Sequence, residues 1–228
     1  MKRNIVVGVS GASGVAYATR LIEVLIAAGC DVDLSISRTA AGILKKELDL
    51  DVDLDRFNPA TLKLDRGVDL KDKKLKQIRA MAGISSELSN VLSVASGESG
   101  EVRYCDCRNL AGRIASGSYL TRGMVICPCS CSTLAAVANG FGVNLIHRAA
   151  EVHLKERRKL ILVTRETPLS LVQIENMRRV TEAGGIVMPA SPGFYNKADK
   201  IEDLVDGVVA RICDQLGVQN NLSPRWGG

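Results

Sequence analysis

Short apolar runs alternate with longer amphipathic stretches along most of the 228-residue chain. The apolar runs predict strands over 4–9, 31–37, 123–128, 159–164 and 186–188. The amphipathic stretches predict helices over 14–28, 38–48, 132–139, 145–157, 168–183 and 201–216. Strands alternating with helices of this length imply parallel β-α-β units. The expected fold is α/β: a single domain with a doubly wound, Rossmann-like, mostly parallel sheet and helices on both faces. Right-handed crossovers then place a ligand outside the carboxyl ends of the strands.

Residues 49–110 interrupt this alternation. Asp49 to Asp55 is acidic, Lys71 to Lys76 is basic, and Gly97 to Glu101 is a turn-rich connector. The stretch reads as an elaborated surface insertion with a helix near 71–92, or as a partly mobile connector.

The first strand runs straight into Gly8-Val9-Ser10-Gly11-Ala12-Ser13-Gly14. A turn of small residues opening a helix lets backbone N–H groups approach a phosphate, which the helix dipole favours. The glycines at 8, 11 and 14 do not follow the dinucleotide spacing G-x-G-x-x-G. The second apolar run ends in Ser37, where a dinucleotide site needs a carboxylate for the ribose diol. NAD is therefore disfavoured, and a mononucleotide such as FMN fits better. The plainer alternative is a tight turn without a ligand, and the run of small residues weighs against it.

Composition narrows the classes further. Aromatic residues make up 4% of the chain, so the core must come from Val, Leu, Ile and Ala. No apolar stretch reaches the ~20 residues that cross a bilayer, and the N-terminus enters a strand without a signal-peptide region. A cytoplasmic protein without membrane contact is expected. The net charge is +5, with no basic tract interleaved with aromatics, so no nucleic-acid partner is expected. That mild positive bias suits a small anionic ligand. The seven cysteines should stay reduced in the cytosol. Their clusters, Cys105-Asp106-Cys107 and Cys127-Pro128-Cys129-Ser130-Cys131, have a spacing poor for zinc, so no metal site is expected.

Further constellations carry candidate chemistry. Ser116-Gly117-Ser118 precedes the strand ending at Cys127, and Ser130-Cys131-Ser132-Thr133 follows it. Ser132 is placed to cap the next helix; capping alone is the plainer reading, and a ligand shared by two hydroxyl-rich turns is the stronger one. Arg148 and Lys155 lie seven positions apart on one helix face and can hold a phosphate, although a solvated charged face explains them equally. Arg165-Glu166-Thr167-Pro168 stands at a strand's carboxyl end, before a helix started by the proline. There Arg165 suits an anion, and Glu166 can relay a proton or orient the arginine. The stiff loop Pro189 to Gly193 delivers Phe194 and Tyr195, the latter to a ligand or to packing.

Taken jointly, these segments resemble the UbiX/Pad family of flavin prenyltransferases. The matching motifs are Gly11-Ala12-Ser13-Gly14, Ala115-Ser116-Gly117-Ser118, Met124 to Ser130, Arg148-Ala149-Ala150-Glu151, Leu154 to Arg158, Arg165 to Pro168, Pro192 to Tyr195 and Pro224-Arg225-Trp226. They run through the chain in family order, with only the 49–110 stretch outside. The resemblance implies a flavoprotein-type fold and an enzyme that joins a dimethylallyl group, taken from dimethylallyl phosphate, to N5 and C6 of reduced FMN without a metal. It further implies that the prenylated FMN serves a UbiD-type decarboxylase, and that the chain is a homo-oligomer, a dodecamer with sites at subunit contacts.

By the same resemblance, Gly11, Ala12 and Ser13 would meet the flavin, with Ser13 near N5. Ser37 and the turn Ser130, Cys131, Ser132 and Thr133 would hold phosphate and ribityl, and Arg165 would also face FMN. Ser116, Arg148, Lys155, Glu166, Tyr195 and Arg211 would surround the donor phosphate. Trp226 would offer its π face to the allyl cation, and Glu47 would stand by the reacting flavin edge. Two other readings compete: a flavin-dependent cysteine decarboxylase, and a non-catalytic flavin-binding subunit. The first relies on an early catalytic histidine, whereas this chain has only His147 and His153. The filled phosphate-facing positions argue against the second.

Overall fold

The computed structural model of the chain describes residues 4–64, 72–84, 99–194, 198–225 and 227. Strands β1 (Ile5–Val9), β2 (Val32–Ile36), β3 (Val102–Tyr104), β4 (Gly123–Cys129), β5 (Leu160–Thr164) and β6 (Ile186–Pro189) form one sheet in the order β3-β2-β1-β4-β5-β6. Every neighbouring pair is parallel. The helices are α1 (Val15–Ala27), α2 (Arg38–Leu48), α3 (Lys73–Met81), α4 (Cys131–Asn139), α5 (Leu145–Lys155), α6 (Leu171–Glu182) and α7 (Ile201–Leu216). The strand order reverses between β1 and β4, and a crevice opens at that switch point in such sheets.

A sheet covered on both faces must be apolar on both, and β1, β2, β4 and β5 are buried along their whole length. Alternation sends Ile5, Val7 and Val9 into a core with Leu21, Leu25 and Ile212, and Val6 into a second core with Met124, Leu134 and Ile146. No helix among the described residues is long and apolar enough to cross a membrane.

Outside the 49–110 stretch, two helix bounds differ from expectation by more than one residue, for local reasons. α6 starts at Leu171 and not at the proline, because Ser170 and Gln173 form a capping box there. α5 stops at Lys155, and Arg157 follows with φ 55°.

The stretch 49–110 differs more from a surface insertion. Val102–Tyr104 is the edge strand β3, and Leu50, Val52, Leu62, Leu64, Leu75 and Ile78 are buried in the first core. The helix foreseen near 71–92 is α3, Lys73–Met81; residues 85–98 lie outside the described set. Asp72 caps α3 through the Lys74 N–H at 2.8 Å, and meets Arg20 of α1 at 2.8 Å. Arg20 also reaches Asp206 of α7 at 2.7 Å, and Lys74 reaches the same carboxylate at 2.8 Å. This network fastens the segment to α1 and α7. The chain then passes so close to the α1–β2 turn that a Cβ on Gly100 would lie 1.8 Å from the Cys30 carbonyl oxygen.

His153 of α5 is buried and fully bonded as a neutral ring. Nδ1 lies 2.7 Å from the Ala149 carbonyl and Nε2 lies 2.8 Å from the Thr121 hydroxyl. Burial, opposed by the Ala149 bond and assisted by the Arg158 charge, pushes its pKa down to about 4. The unfolded chain binds that proton near pH 6.5, so between about pH 6.5 and 4 the unfolded state holds more protons than the fold. Stability should therefore fall by up to about 3 kcal/mol as pH drops through that window. Urea midpoints at pH 7 and pH 5 test this, with His153→Asn as the control that should flatten the slope.

Candidate active site

The turn after β1 is built around Ser10. Its buried hydroxyl accepts the Ser130 N–H at 2.8 Å and donates to the Pro128 carbonyl at 3.0 Å. Those bonds lock the ends of β1 and β4 together at the switch point. A Cβ on Gly11 would lie 2.6 Å from Thr39 Cγ2, so the turn lies directly against the start of α2.

Gly14 is the N-cap of α1, with φ 102° and no side chain to cap with. Glu47, from the last turn of α2, supplies the missing acceptor. Its Oε2 takes the N–H groups of Gly14 at 3.0 Å and Val15 at 3.2 Å, and the Ser13 hydroxyl donates to the same carboxylate. Burial pushes the Glu47 carboxyl up. The Ser13 and backbone bonds and the Arg165 charge outweigh it and hold the group below its usual range. The α1 N-terminus, expected from the sequence to receive a phosphate, thus already carries a carboxylate.

An anion has a better place at α4. Ser130 is the N-cap there, taking the Thr133 N–H at 3.2 Å; Ser132, expected as the cap, lies inside the first turn. Ser132 Oγ stands 3.1 Å from Ser130 Oγ, and the Thr133 hydroxyl lies 3.0 Å from it. The first-turn N–H groups of Cys131 and Ser132 are left for an incoming acceptor. Ser37 is the N-cap of α2, accepting the Ala40 N–H at 3.2 Å, with its own N–H on Val9.

The end of β5 completes this edge. Arg165 is half-buried, close enough to act on the charges of Glu47 and Cys131, and its Nε is buried without a partner. An orphaned guanidinium N–H beside a hydroxyl-lined helix N-terminus fits a phosphomonoester. Glu166 is exposed; its Oε1 accepts the Thr167 N–H at 3.1 Å, and its Oε2 lies 3.5 Å from Cys131 Sγ.

The remaining expected residues stand elsewhere. α5 runs back toward the amino ends of the strands, so Lys155 lies beside Gly117, where a Cβ would be 3.1 Å from Nζ. The Ser116–Tyr119 loop is tied to that edge by Tyr119, whose hydroxyl meets Asn4 at 3.1 Å and buried Asp33 at 2.8 Å. Arg113 reaches the same Asp33 carboxylate at 2.7 Å. Ser116 Oγ sits 2.9 Å from Ser118 Oγ. Lys155 pairs with Glu156 at 2.7 Å, Arg148 with Glu151 at 2.6 Å, and exposed Arg211 of α7 with Asp214 at 3.5 Å. Tyr195 and Trp226 lie outside the described residues.

Within one chain, then, Ser13, Glu47, Ser130, Arg165 and Glu166 meet at the carboxyl edge, while Ser116 and Lys155 form a second group across the sheet. A five-residue strand spans about 16 Å, beyond the reach of a shared small ligand. Ser10, Thr39 and Gln173 also belong to the carboxyl-edge group. The motif containing Ser10 pointed to it, but nothing local marked Thr39 or Gln173. Both histidines are structural: His147 is buried with its N–H on Asn144 and its ring 3.4 Å from the Thr133 hydroxyl, and His153 is bonded as above.

Comparison with known proteins agrees with this fold. The family described as Flavoprotein matches residues 1–213. The chain is 38% identical over 224 residues to the flavin prenyltransferase UbiX of Methanothermobacter thermautotrophicus, covering 98% of this chain and 95% of that protein. Among solved structures it superposes on AnUbiX (PadA1) in complex with FMN and dimethylallyl pyrophosphate with a TM-score of 0.76 and 33% identity, covering 100% and 99% of the two chains. A dodecameric FMN-dependent UbiX-like decarboxylase from Escherichia coli O157:H7 superposes with a TM-score of 0.74 and 29% identity, covering 99% and 100%.

Proposed function

The chain belongs to the UbiX family of flavin prenyltransferases, within the flavoproteins, and on that footing we propose that it transfers a dimethylallyl group from dimethylallyl phosphate to N5 and C6 of reduced FMN. The observation that carries the reading is the meeting of Ser13, Glu47 and Arg165 beside the hydroxyl-lined N-terminus of α4. Reduced FMN, when bound, supplies the nucleophilic ring positions. Ser130, Ser132, Thr133 and the α4 N–H groups take its phosphate, with Arg165 as the charged partner. Ser37 flanks the ribityl chain.

The chain's own residues account for phosphate departure. Breaking the allylic C–O bond separates a cation from an anion, and cationic side chains stabilise the departing anion. Lys155, Arg148 and Arg211 fill that role, and the hydroxyls of Ser116 and Tyr195 complete the phosphate's surroundings. Trp226 offers a π face to the cation. Because Lys155 and Ser116 lie across the sheet from Ser13, the reading places them on a neighbouring copy, in a homododecamer with sites at subunit contacts. The prenylated flavin then leaves for a UbiD-type decarboxylase.

Incubating the protein with reduced FMN and either dimethylallyl monophosphate or diphosphate, then weighing the flavin, tests the reaction and its donor. A gain of one prenyl unit is expected, and failure to retain FMN in any redox state overturns the reading. A mixing experiment tests the shared site. Ser13→Ala and Lys155→Ala subunits, each inactive alone, should regain a measurable fraction of activity when dissociated and reassembled together. Continued inactivity of the mixture, with both variants assembled and FMN-bound, would rule out complementation.

A further inference from the structure

Cys131 is the one cysteine of the seven that is not buried. Its sulfur is the middle of a short polar chain. The Ser170 N–H donates to Gln173 Oε1 at 2.6 Å, and Gln173 Nε2 donates to Cys131 Sγ at 3.1 Å. The thiol then donates to Glu166 Oε2 at 3.5 Å, while the Thr167 N–H holds the other carboxylate oxygen at 3.1 Å. We propose that Cys131, anchored by Gln173, is a positioning residue that fixes the direction of the Glu166 carboxylate toward the prenyl donor.

The geometry supports this in three ways. Glu166 sits on an exposed loop between β5 and α6, and among the described residues no cationic side chain pairs with it, so a carboxylate there needs another device to hold one rotamer. A thiol is a weak donor, but here its sulfur is oriented by an amide whose other end is fixed in the α6 capping box. Burial and the neighbouring Glu166 both push the thiol's pKa up, keeping the S–H that makes the bond. The side chain of Cys131 therefore serves the donor half of the site, and only its backbone N–H faces the phosphate position at α4.

The inference rests on the reading that Glu166 faces the donor, so the experiment includes a Glu166 arm. With FMN-loaded protein and dimethylallyl monophosphate, C131A should raise the donor KM about tenfold and leave the FMN Kd within about twofold. C131S, which keeps a hydroxyl donor, should return KM to within about threefold of the parent. E166Q should also raise the donor KM, and C131A added to E166Q should raise it no further, since the two act as one unit. Methyl methanethiosulfonate, which converts the thiol to a mixed disulfide, should reproduce the C131A defect, spare C131S, and be reversed by dithiothreitol. Parent-like kinetics in C131A beside an impaired E166Q overturn the proposal and leave the function intact. Equal defects in C131S and C131A, or additive ones in the double variant, also overturn it. A parent-like E166Q removes Glu166 from the donor site, and the positioning role falls with it.

Discussion

Lys155→Ala should lower turnover by about two to three orders of magnitude while FMN binds as before. The side chain is exposed, and its present partner is the adjacent Glu156 at 2.7 Å. A solvent-exposed pair of that kind contributes little to stability, so the variant should fold and assemble normally. What it loses is a positive charge at the place where the reading puts the leaving phosphate. That charge matters most as the C–O bond breaks, so kcat should fall along with donor affinity. The FMN-facing group at the carboxyl edge is untouched, because α5 carries Lys155 to the opposite edge of its own sheet. Flavin titration and single-turnover rates on the same preparation separate the two effects. A variant with unchanged turnover would refute the assignment of the donor site.

Glu47→Gln is expected to cost about a hundredfold in kcat, with a small and pH-dependent loss of stability. The amide keeps the shape but gives up the charge that receives the Ser13 hydroxyl and the Gly14 and Val15 N–H groups. Without it, Ser13 loses its orientation at the proposed flavin edge. The stability effect should be that of a weakened cap, about 1 kcal/mol at neutral pH. The sign of its pH dependence follows from the direction of the shift. A carboxyl held below its ordinary value of 4.5 stabilises the fold above that value, and the contribution disappears as pH falls through the depressed folded pKa. The parent and the variant should therefore differ in thermal midpoint at pH 7 and converge at strongly acidic pH. A constant gap across that range would point to lost packing and exclude the charged cap.

Much of the carboxyl-edge site could be read without coordinates because it is local. Ser37 follows β2 and Ser130 follows β4 directly, so apolar runs followed by hydroxyls announced both turns, although the cap of α4 is Ser130 and not the expected Ser132. Arg165 and Glu166 follow β5 in the same way. Cys131 was legible as part of a turn but not as a partner of Glu166 or Gln173, which lie 35 and 42 positions further along.

The order of five of the six strands and of their helices, the aliphatic core and the hydroxyl-rich turns were determined by the sequence, because periodicity and capping act over a few residues. Three matters were left to the tertiary structure. β3 is a three-residue strand with an arginine at its centre, and only pairing with β2 makes it part of the sheet. The N-terminus of α1 belongs to Glu47 because α2 returns alongside it and the glycine cap leaves two N–H groups open. Lys155 and Ser13 stand on opposite edges because a helix that follows a parallel strand must run back down the sheet, a constraint no local motif records.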